Sequence, residues 1–176
     1  VAEMSVAMAQ SPLPPPEGRH AVGRTQIHWV DGSRREIVVW IWYPAKVTAN
    51  AVPAEWMPGK WGEGLHVGSS DLSSIKSHAY TDAAIEPASR PYSVLLFAPG
   101  ANQIPLDYST ILEDVASHGY VVAGVTSPEF ARVIVLADGR LISGPVPRGF
   151  RGSIGATSSI ISKDLSFALT RLLTVD

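Results

Sequence analysis

The stretch YSVLLFAPGANQ, residues 92–103, decides how this 176-residue chain folds. Its first six positions are mostly bulky and apolar, which is typical of a strand that is covered on both faces in a parallel sheet. Pro99 and Gly100 then turn the chain, and apolar residues recur at helical spacing between Tyr108 and Ala116. The pattern predicts a strand that ends in a sharp turn and leads into a helix.

A second strand is predicted after this helix. Asp107 is placed to cap the helix, Gly119 fits its end, and the run YVVAGV at residues 120–125 again has the character of a buried strand. Residues 92–125 therefore form a predicted β-α-β unit.

A hairpin is predicted before this unit. Residues 26–30 and 37–43 are rich in β-branched and aromatic side chains, and Asp31-Gly32 lies between them. Pro44 is expected to end the second strand, because proline has no N–H for a sheet ladder.

A second hairpin and a last helix are predicted after the unit. Residues 133–136 and 140–143 flank the turn Ala137-Asp138-Gly139. The apolar positions of the last helix are Leu165, Ala168, Leu169 and Leu172, with Ser162 or Lys163 near its start.

Two segments lack such patterns. Residues 1–18 hold four prolines between positions 12 and 16 and form a predicted leader, so that residues 19–176 make up one domain. Residues 45–90 form a long connection with one short helix expected at 71–78, and a connection of this length is usually a lid or binding loop. The triplet AMA at residues 7–9 has the form of a signal-cleavage site and suggests a secreted or periplasmic protein, but the compartment stays open on this pattern alone.

Composition narrows the classes of function. With 14 Lys+Arg against 16 Asp+Glu, the chain has no basic excess to hold a phosphate backbone, so nucleic acid is not an expected partner. No apolar run reaches the ~18 residues of a transmembrane segment. The chain has no cysteine, which excludes disulfides and thiolate nucleophiles, and its acidic residues are too scattered to predict a metal site.

Four blocks of sequence, in order, carry a resemblance to a known family. They are REIVVWIWYPA (35–45), SHAYTDAAI (77–85), RPYSVLLFAPG (90–100) and LEDVASHGYVVAGVTSP (112–128). Together they resemble the N-terminal half of α/β-hydrolases related to platelet-activating-factor acetylhydrolase, and bacterial lipases and cutinase-like polyester hydrolases are similar. The resemblance implies an α/β fold: the N-terminal part of an α/β-hydrolase, with a mixed, mostly parallel sheet and flanking helices, incomplete in this chain.

The resemblance also assigns chemistry to the turn. In this family the residue after the turn glycine donates its backbone N–H to the oxyanion hole, and this position is Ala101 here. Many acetylhydrolase-like members have His-Gly where this chain has Pro99-Gly100, a form closer to the cutinase-like enzymes. A backbone donor does not depend on the preceding side chain, so the implied role of Ala101 is unaffected. The implied chemistry needs no cofactor and no metal.

Each assignment has a plainer alternative. Gly100, Asn102 and Gln103 are predicted to contact the substrate, but Asn102 and Gln103 equally suit capping of the following helix. Trp56 and Trp61 are predicted to line an acyl pocket, whereas aromatic residues in a long loop more often pin it to the core. Without the resemblance, the turn is an ordinary β-α connection.

The nucleophile of the family is missing from this sequence. No serine lies in a Gly-x-Ser-x-Gly elbow, and the five histidines have no recognisable spacing to an acid and a nucleophile. Relative to the family pattern the chain stops after the helix that leads to the nucleophile strand. The resemblance therefore implies that the catalytic Ser, Asp and His lie beyond Asp176. We expect the chain to be one piece of a two-piece enzyme, or a processed or cut product, with a second polypeptide that supplies the remaining strands and the triad.

A strand order of 1-2-4-3-5 is implied as well, so the third strand, residues 92–97, is expected to lack one neighbour. We expect a serine-type carboxylic-ester hydrolase that acts on a small ester, a lipid or a polyester as part of an assembly. The alternative is a non-catalytic, hydrolase-like module for binding or protein interaction.

Overall fold

The computed structural model of the protein describes residues 13–64, 72–142 and 154–174. The proposed cleavage site at residues 7–9, most of the proposed leader and His66 lie outside these ranges. Residues 13–20 form neither helix nor strand, and their backbone is held by two side chains of a later helix, Asp114 and Ser117. The division into leader and domain stays a prediction.

Nine strands and three α-helices are assigned in the described residues. The strands are β1 (Ala21–Val30), β2 (Glu36–Lys46), β3 (Pro53–Glu55), β4 (Lys76–Thr81), β5 (Ala84–Ile85), β6 (Ser93–Phe97), β7 (Tyr120–Thr126), β8 (Ile134–Val135) and β9 (Leu141–Ile142). The helices are α1 (Lys60–Gly64), α2 (Ser109–Ser117) and α3 (Ile154–Leu172), and 3₁₀ turns lie at Leu72–Ser74 and Pro105–Tyr108.

Seven strands form the main sheet, in the order β3-β4-β1-β2-β7-β6, with β5 paired to β2. The four core strands predicted from the sequence are β1, β2, β6 and β7, and their order confirms the expected 1-2-4-3. Apolar residues of α2, Leu112 and Ala116, belong to the hydrophobic cluster on one face of the sheet. Ala168 of α3 belongs to the cluster on the other face. The helices therefore cover opposite faces, as the α/β layer architecture requires.

The first hairpin is confirmed and is longer than predicted. β1 and β2 pair antiparallel from Ala21↔Ala45 to Val30↔Glu36. Pro44 does not end β2, so that expectation was wrong. β2 pairs with β7 only as far as Trp42, and beyond this point Pro44 contributes its carbonyl, which accepts a bond from β5's neighbour Glu86. The missing N–H falls between the ladder to β7, which ends at Trp42, and the short ladder to β5, which begins at Ala45, so it is tolerated.

The connection at residues 45–90 contains regular structure. The helix expected at 71–78 is wrong: only the short 3₁₀ turn is present among its described residues, and it is followed by β4, which runs parallel to β1. Ser77 and Ala79 of β4 are buried while their neighbours are not. This period of two belongs to a strand, and it overrides the helical spacing of the few apolar residues.

The β-α-β unit is confirmed, with one correction. Gly119 ends α2 in the left-handed region (φ 97°), where glycine has no steric penalty. Asp107 does not cap α2. Its carboxylate accepts the N–H of Ile104 (2.9 Å), because Pro105 starts a 3₁₀ turn before the α-helix proper.

The local pattern of β6 predicted a strand covered on both faces, whereas the implied strand order left it without one neighbour, and the described strands agree with the second expectation. It lies at the end of the sheet, and no strand of the described ranges pairs with its outer side. Val94 is 37% exposed and Leu95 is 41% exposed. Leu96 and Phe97 still pack against the clusters on the two faces of the sheet.

The two remaining predicted elements are present. β8 and β9 form the second hairpin, and Gly139 occupies its turn with φ 78°. The last helix, α3, begins earlier than predicted, at Ile154. The described helices include none with the length and apolarity that crossing a membrane demands.

Candidate active site

The turn after β6 lies at the carboxyl end of the sheet, beside the loop that follows β7. These two strands are parallel and adjacent, so the segments that leave them meet at one edge. Asn102 has a left-handed backbone (φ 65°), and its N–H donates to the Phe130 carbonyl at 2.7 Å. The turn is thus fixed directly to the loop after β7.

The backbone N–H of Ala101 has no hydrogen-bond acceptor among the residues that the structure describes. Gln103 N–H bonds the Gly100 carbonyl (3.1 Å) and Asn102 N–H bonds Phe130, whereas no described residue accepts a bond from Ala101. Ala101 is exposed at the surface of the turn. A fixed N–H without a protein partner is what a negatively charged oxygen needs as a donor.

A salt bridge between Arg132 and Asp107 also holds this turn. Arg132 donates to the carbonyl of Asn102 (3.2 Å) and forms a two-pronged pair with the Asp107 carboxylate. The second Asp107 oxygen also receives the Ile104 N–H. Sequence reasoning missed Arg132, because a single arginine 25 residues away from its acid carries no local pattern.

Gly100 and Gln103 form the inner side of the turn. A Cβ built on Gly100 would lie 2.6 Å from Gln103 Oε1, so a larger residue here would require the flexible Gln103 side chain to shift. The same Oε1 accepts a bond from the Tyr108 hydroxyl. Neither Asn102 nor Gln103 caps α2, whose N-terminal residue Tyr108 makes no side-chain cap. Contact of these residues with substrate stays a prediction.

The two tryptophans lie elsewhere. Trp61 is 2% exposed, donates to Gln26 Oε1 (3.1 Å) and lines a cleft of about 560 Å³ together with Arg24 and Trp40. Trp56 packs against the core and donates to the Leu106 carbonyl (3.1 Å). The small pocket beside the turn has neither ring in its lining. Their burial supports the core role, and acyl binding by these rings stays untested.

The described histidines are bound outside the turn. His20 pairs with Glu86 (2.7 Å), and His118 bonds the carbonyl of Asp114 (2.8 Å). Burial lowers the pKa of His28, and this effect outweighs the opposite effect of the nearby acids Glu36 and Asp138. Among residues 13–64, 72–142 and 154–174, no three His, Asp or Glu side chains converge as they do around a metal ion.

A comparison with protein families decides the relationship. The model of platelet-activating factor acetylhydrolase, isoform II, matches residues 5–129, which include β1 to β7 and the turn. The chain belongs to this family. The resemblance inferred from the four sequence blocks is therefore confirmed.

A solved structure supports the acetylhydrolase family's fold for this chain. A ferulic acid esterase from Streptomyces cinnamoneus superposes with a TM-score of 0.78 and is 28% identical. The match covers 90% of this chain and 48% of the esterase chain. This acetylhydrolase relative thus spans about half the length of that enzyme and carries part of an α/β-hydrolase fold. No curated protein sequence matches the chain significantly.

Proposed function

We propose that this chain provides one half of the active site of a serine carboxylic-ester hydrolase, with the Ala101 N–H as one oxyanion donor. The observation that carries the proposal is the Ala101 N–H, which has no acceptor among the described residues and belongs to an exposed residue in a turn fixed at the carboxyl end of β6. Membership of an acetylhydrolase family and the likeness to an esterase support the same chemistry.

The proposed role of the turn follows from the charge that forms during ester hydrolysis. Attack on the ester carbon turns the carbonyl oxygen into an oxyanion, and an amide that already points there stabilises it without reorganisation. One such donor is worth roughly 3 kcal/mol in comparable enzymes. The bonds of Asn102 and Gln103 hold the peptide on either side of Ala101, so the donor is preorganised.

The nucleophile is proposed to come from outside these 176 residues, on a second polypeptide. No Gly-x-Ser-x-Gly elbow occurs in the sequence, and the outer edge of β6 has no partner strand among the described residues. A strand added at this edge would bring its own carboxyl end next to Ala101. Its serine would form an acyl-enzyme that water then releases, with the partner histidine as general base and acid.

The proposed substrate is a small ester, a lipid or a polyester. The names of the relatives cover an acetyl ester and a ferulic acid ester, which share only the carboxylic ester group. Ala101 does not select between acyl groups, because it offers only its backbone N–H and a methyl side chain. Gly100, Asn102 and Gln103 are the proposed contacts around the ester, and serine hydrolysis needs no cofactor.

Replacement of Ala101 tests the donor. In the assembly of this chain with the polypeptide that co-purifies with it, Ala101→Pro should lower turnover of p-nitrophenyl acetate about 100-fold or more, because proline has no N–H. Ala101→Gly keeps the donor and should retain most of the rate. Circular dichroism must show that both variants are folded. An unchanged rate for a folded Ala101→Pro assembly would remove Ala101 from the mechanism.

A covalent probe locates the nucleophile. A fluorophosphonate should label one serine of the assembly, and peptide mass spectrometry should assign that serine to the second polypeptide. A label on a serine within residues 1–176 would contradict the proposed division of the active site, even if the Ala101 variants behave as expected.

The second candidate is a hydrolase-like module without catalysis. The observation that favours it is the lack of any nucleophile elbow in the sequence. A soluble, monomeric chain that unfolds cooperatively, co-purifies with no serine hydrolase and leaves p-nitrophenyl acetate intact would support this candidate against the enzyme.

A further inference from the structure

A partly buried ion network involves the loop that holds the oxyanion turn. Arg35, at the end of the β1–β2 connection, reaches Glu129 with Nε (2.7 Å to Oε1) and with a terminal nitrogen (2.6 Å to Oε2). The same guanidinium reaches both carboxylate oxygens of Asp164 on α3, at 2.8 and 3.1 Å. One arginine thus joins the hairpin, the loop after β7 and α3.

The network joins a buried carboxylate, Asp164, to a partly exposed one, Glu129. Asp164 is 2% exposed, and its two bonds to Arg35 anchor this end of the network in the protein interior. Glu129 is 41% exposed and lies in the loop itself. The bonds to Asp164 and Glu129 raise the pKa of Arg35 above its ordinary value. Partial burial opposes ionisation of Glu129, yet the bonds to Arg35 bring its pKa below the ordinary value.

Glu129 is one residue away from the contact that fixes the turn. The Phe130 carbonyl accepts the Asn102 N–H, and Asn102 follows Ala101 directly. Phe130 and Ala131 both donate to the Ser127 carbonyl, at 3.0 and 3.1 Å, so the loop is tight. A displacement of Glu129 is therefore passed on to the Phe130 carbonyl over a single residue.

The geometry points to Glu129, which forms a bidentate ion pair with Arg35, as a positioning residue for the Ala101 donor. This inference rests on the proposed function of the turn. Glu129 touches neither the proposed substrate nor Ala101. It sets where the Phe130 carbonyl stands, and that carbonyl sets the orientation of the peptide beside Ala101. A bidentate arginine pair suits this task because it fixes direction as well as distance.

A matched pair of variants tests the coupling without any assay of activity. Glu129→Ala and Asp31→Ala each remove one carboxylate from Arg35, because Asp31 also pairs with it (3.2 Å), but only Glu129 lies in the loop. In the full chain, deuterium exchange of the peptide at residues 98–104 should rise several-fold for Glu129→Ala and stay within error for Asp31→Ala. No change in Glu129→Ala, or an equal rise in both variants, overturns the inference.

The active assembly supplies the second readout. Glu129→Ala should lower kcat for p-nitrophenyl acetate about 10-fold to 100-fold with KM nearly unchanged, since a misplaced donor affects the transition state. Glu129→Gln keeps an acceptor for Arg35 and should recover part of the rate. If Ala101→Pro abolishes turnover while Glu129→Ala leaves kcat unchanged, the positioning role is wrong and the proposed function stands. If Ala101→Pro also has no effect, the proposed function itself fails.

Discussion

β2 and β6 carry the same sequence signal and have different surroundings. Both are continuous runs of large apolar residues, which is typical of strands buried on both faces. In β2, Val38 and Trp42 have no exposed surface. In β6, Val94 and Leu95 keep more than a third of theirs. The burial of a strand is therefore a property of its neighbours as much as of its own residues.

The difference has a topological cause. β2 lies between β1 and β7, and its two faces contribute to both hydrophobic clusters. β6 has β7 on one side and no described strand on the other. An exposed apolar edge of this kind is a template for a further strand. The open end of the sheet is also the end that carries Ala101.

The largest expected effect compares one apolar residue from each strand, a buried one in β2 and an exposed one in β6. Trp42→Ala should lower the free energy of unfolding by about 3–5 kcal/mol, because the lost ring leaves a cavity in a packed site. Leu95→Ala should cost about 1 kcal/mol, because much of this side chain is already in water. Urea unfolding of the two variants measures both values. Similar losses would mean that β6 is covered in solution by something the chain alone does not supply.

A smaller effect is expected from a charge placed on the open edge. Leu95→Lys should shift the isolated chain toward monomer in sedimentation experiments at increasing concentration, because a lysine blocks pairing between edges. Ile111→Lys changes an even more exposed apolar residue, on α2, and should leave association unaltered. Leu95→Lys should cost about 1 kcal/mol of stability, as Leu95→Ala does, and Ile111→Lys less than about 0.5 kcal/mol. If Leu95→Lys leaves self-association unchanged, the contact between chains lies elsewhere.

The smallest expected effect is the pH dependence of stability that the buried Glu113 of α2 contributes, away from the outer edge of β6. Burial raises the pKa of Glu113 on α2 above its ordinary 4.5, although its bond from the His78 N–H and the charge of Arg24 oppose this. The folded state therefore holds the Glu113 proton more tightly than the unfolded state. The stability of the natural chain relative to Glu113→Gln should fall as the pH rises from about 4.5 through the raised pKa. Thermal melts of both proteins from pH 4 to 8 measure the slope, and parallel curves would contradict the shift.

Local patterns predicted the elements that depend on neighbours in sequence. The β1–β2 hairpin, the β-α-β unit and the glycine that ends α2 are each specified within a few residues, and all three are confirmed. β4 was missed because only two of its residues, Ser77 and Ala79, are buried and neither is strongly apolar. A short strand held mainly by its backbone leaves little trace in the sequence.

The residues of the candidate site likewise divide into those that local sequence predicted and those that only the structure revealed. The turn and the candidate donor Ala101 were found in the sequence, because a strand, Pro-Gly and a helix follow one another directly. Arg132 and the Arg35 network were not found. Their partners Asp107, Glu129 and Asp164 are 25 to 129 residues away along the chain, and nothing in the local sequence indicates which charges will meet.

The sequence by itself determined the periodicity of this protein, and with it the strands β1, β2, β6 and β7, the helix between the last two and the family. These features depend on which side chains are apolar and how they are spaced. Only the tertiary structure decided how far Val94 and Leu95 of β6 are exposed and which ion pairs hold the turn after β6. Both depend on groups that are distant in sequence and become neighbours when the chain folds, so spacing along the chain carries no record of them.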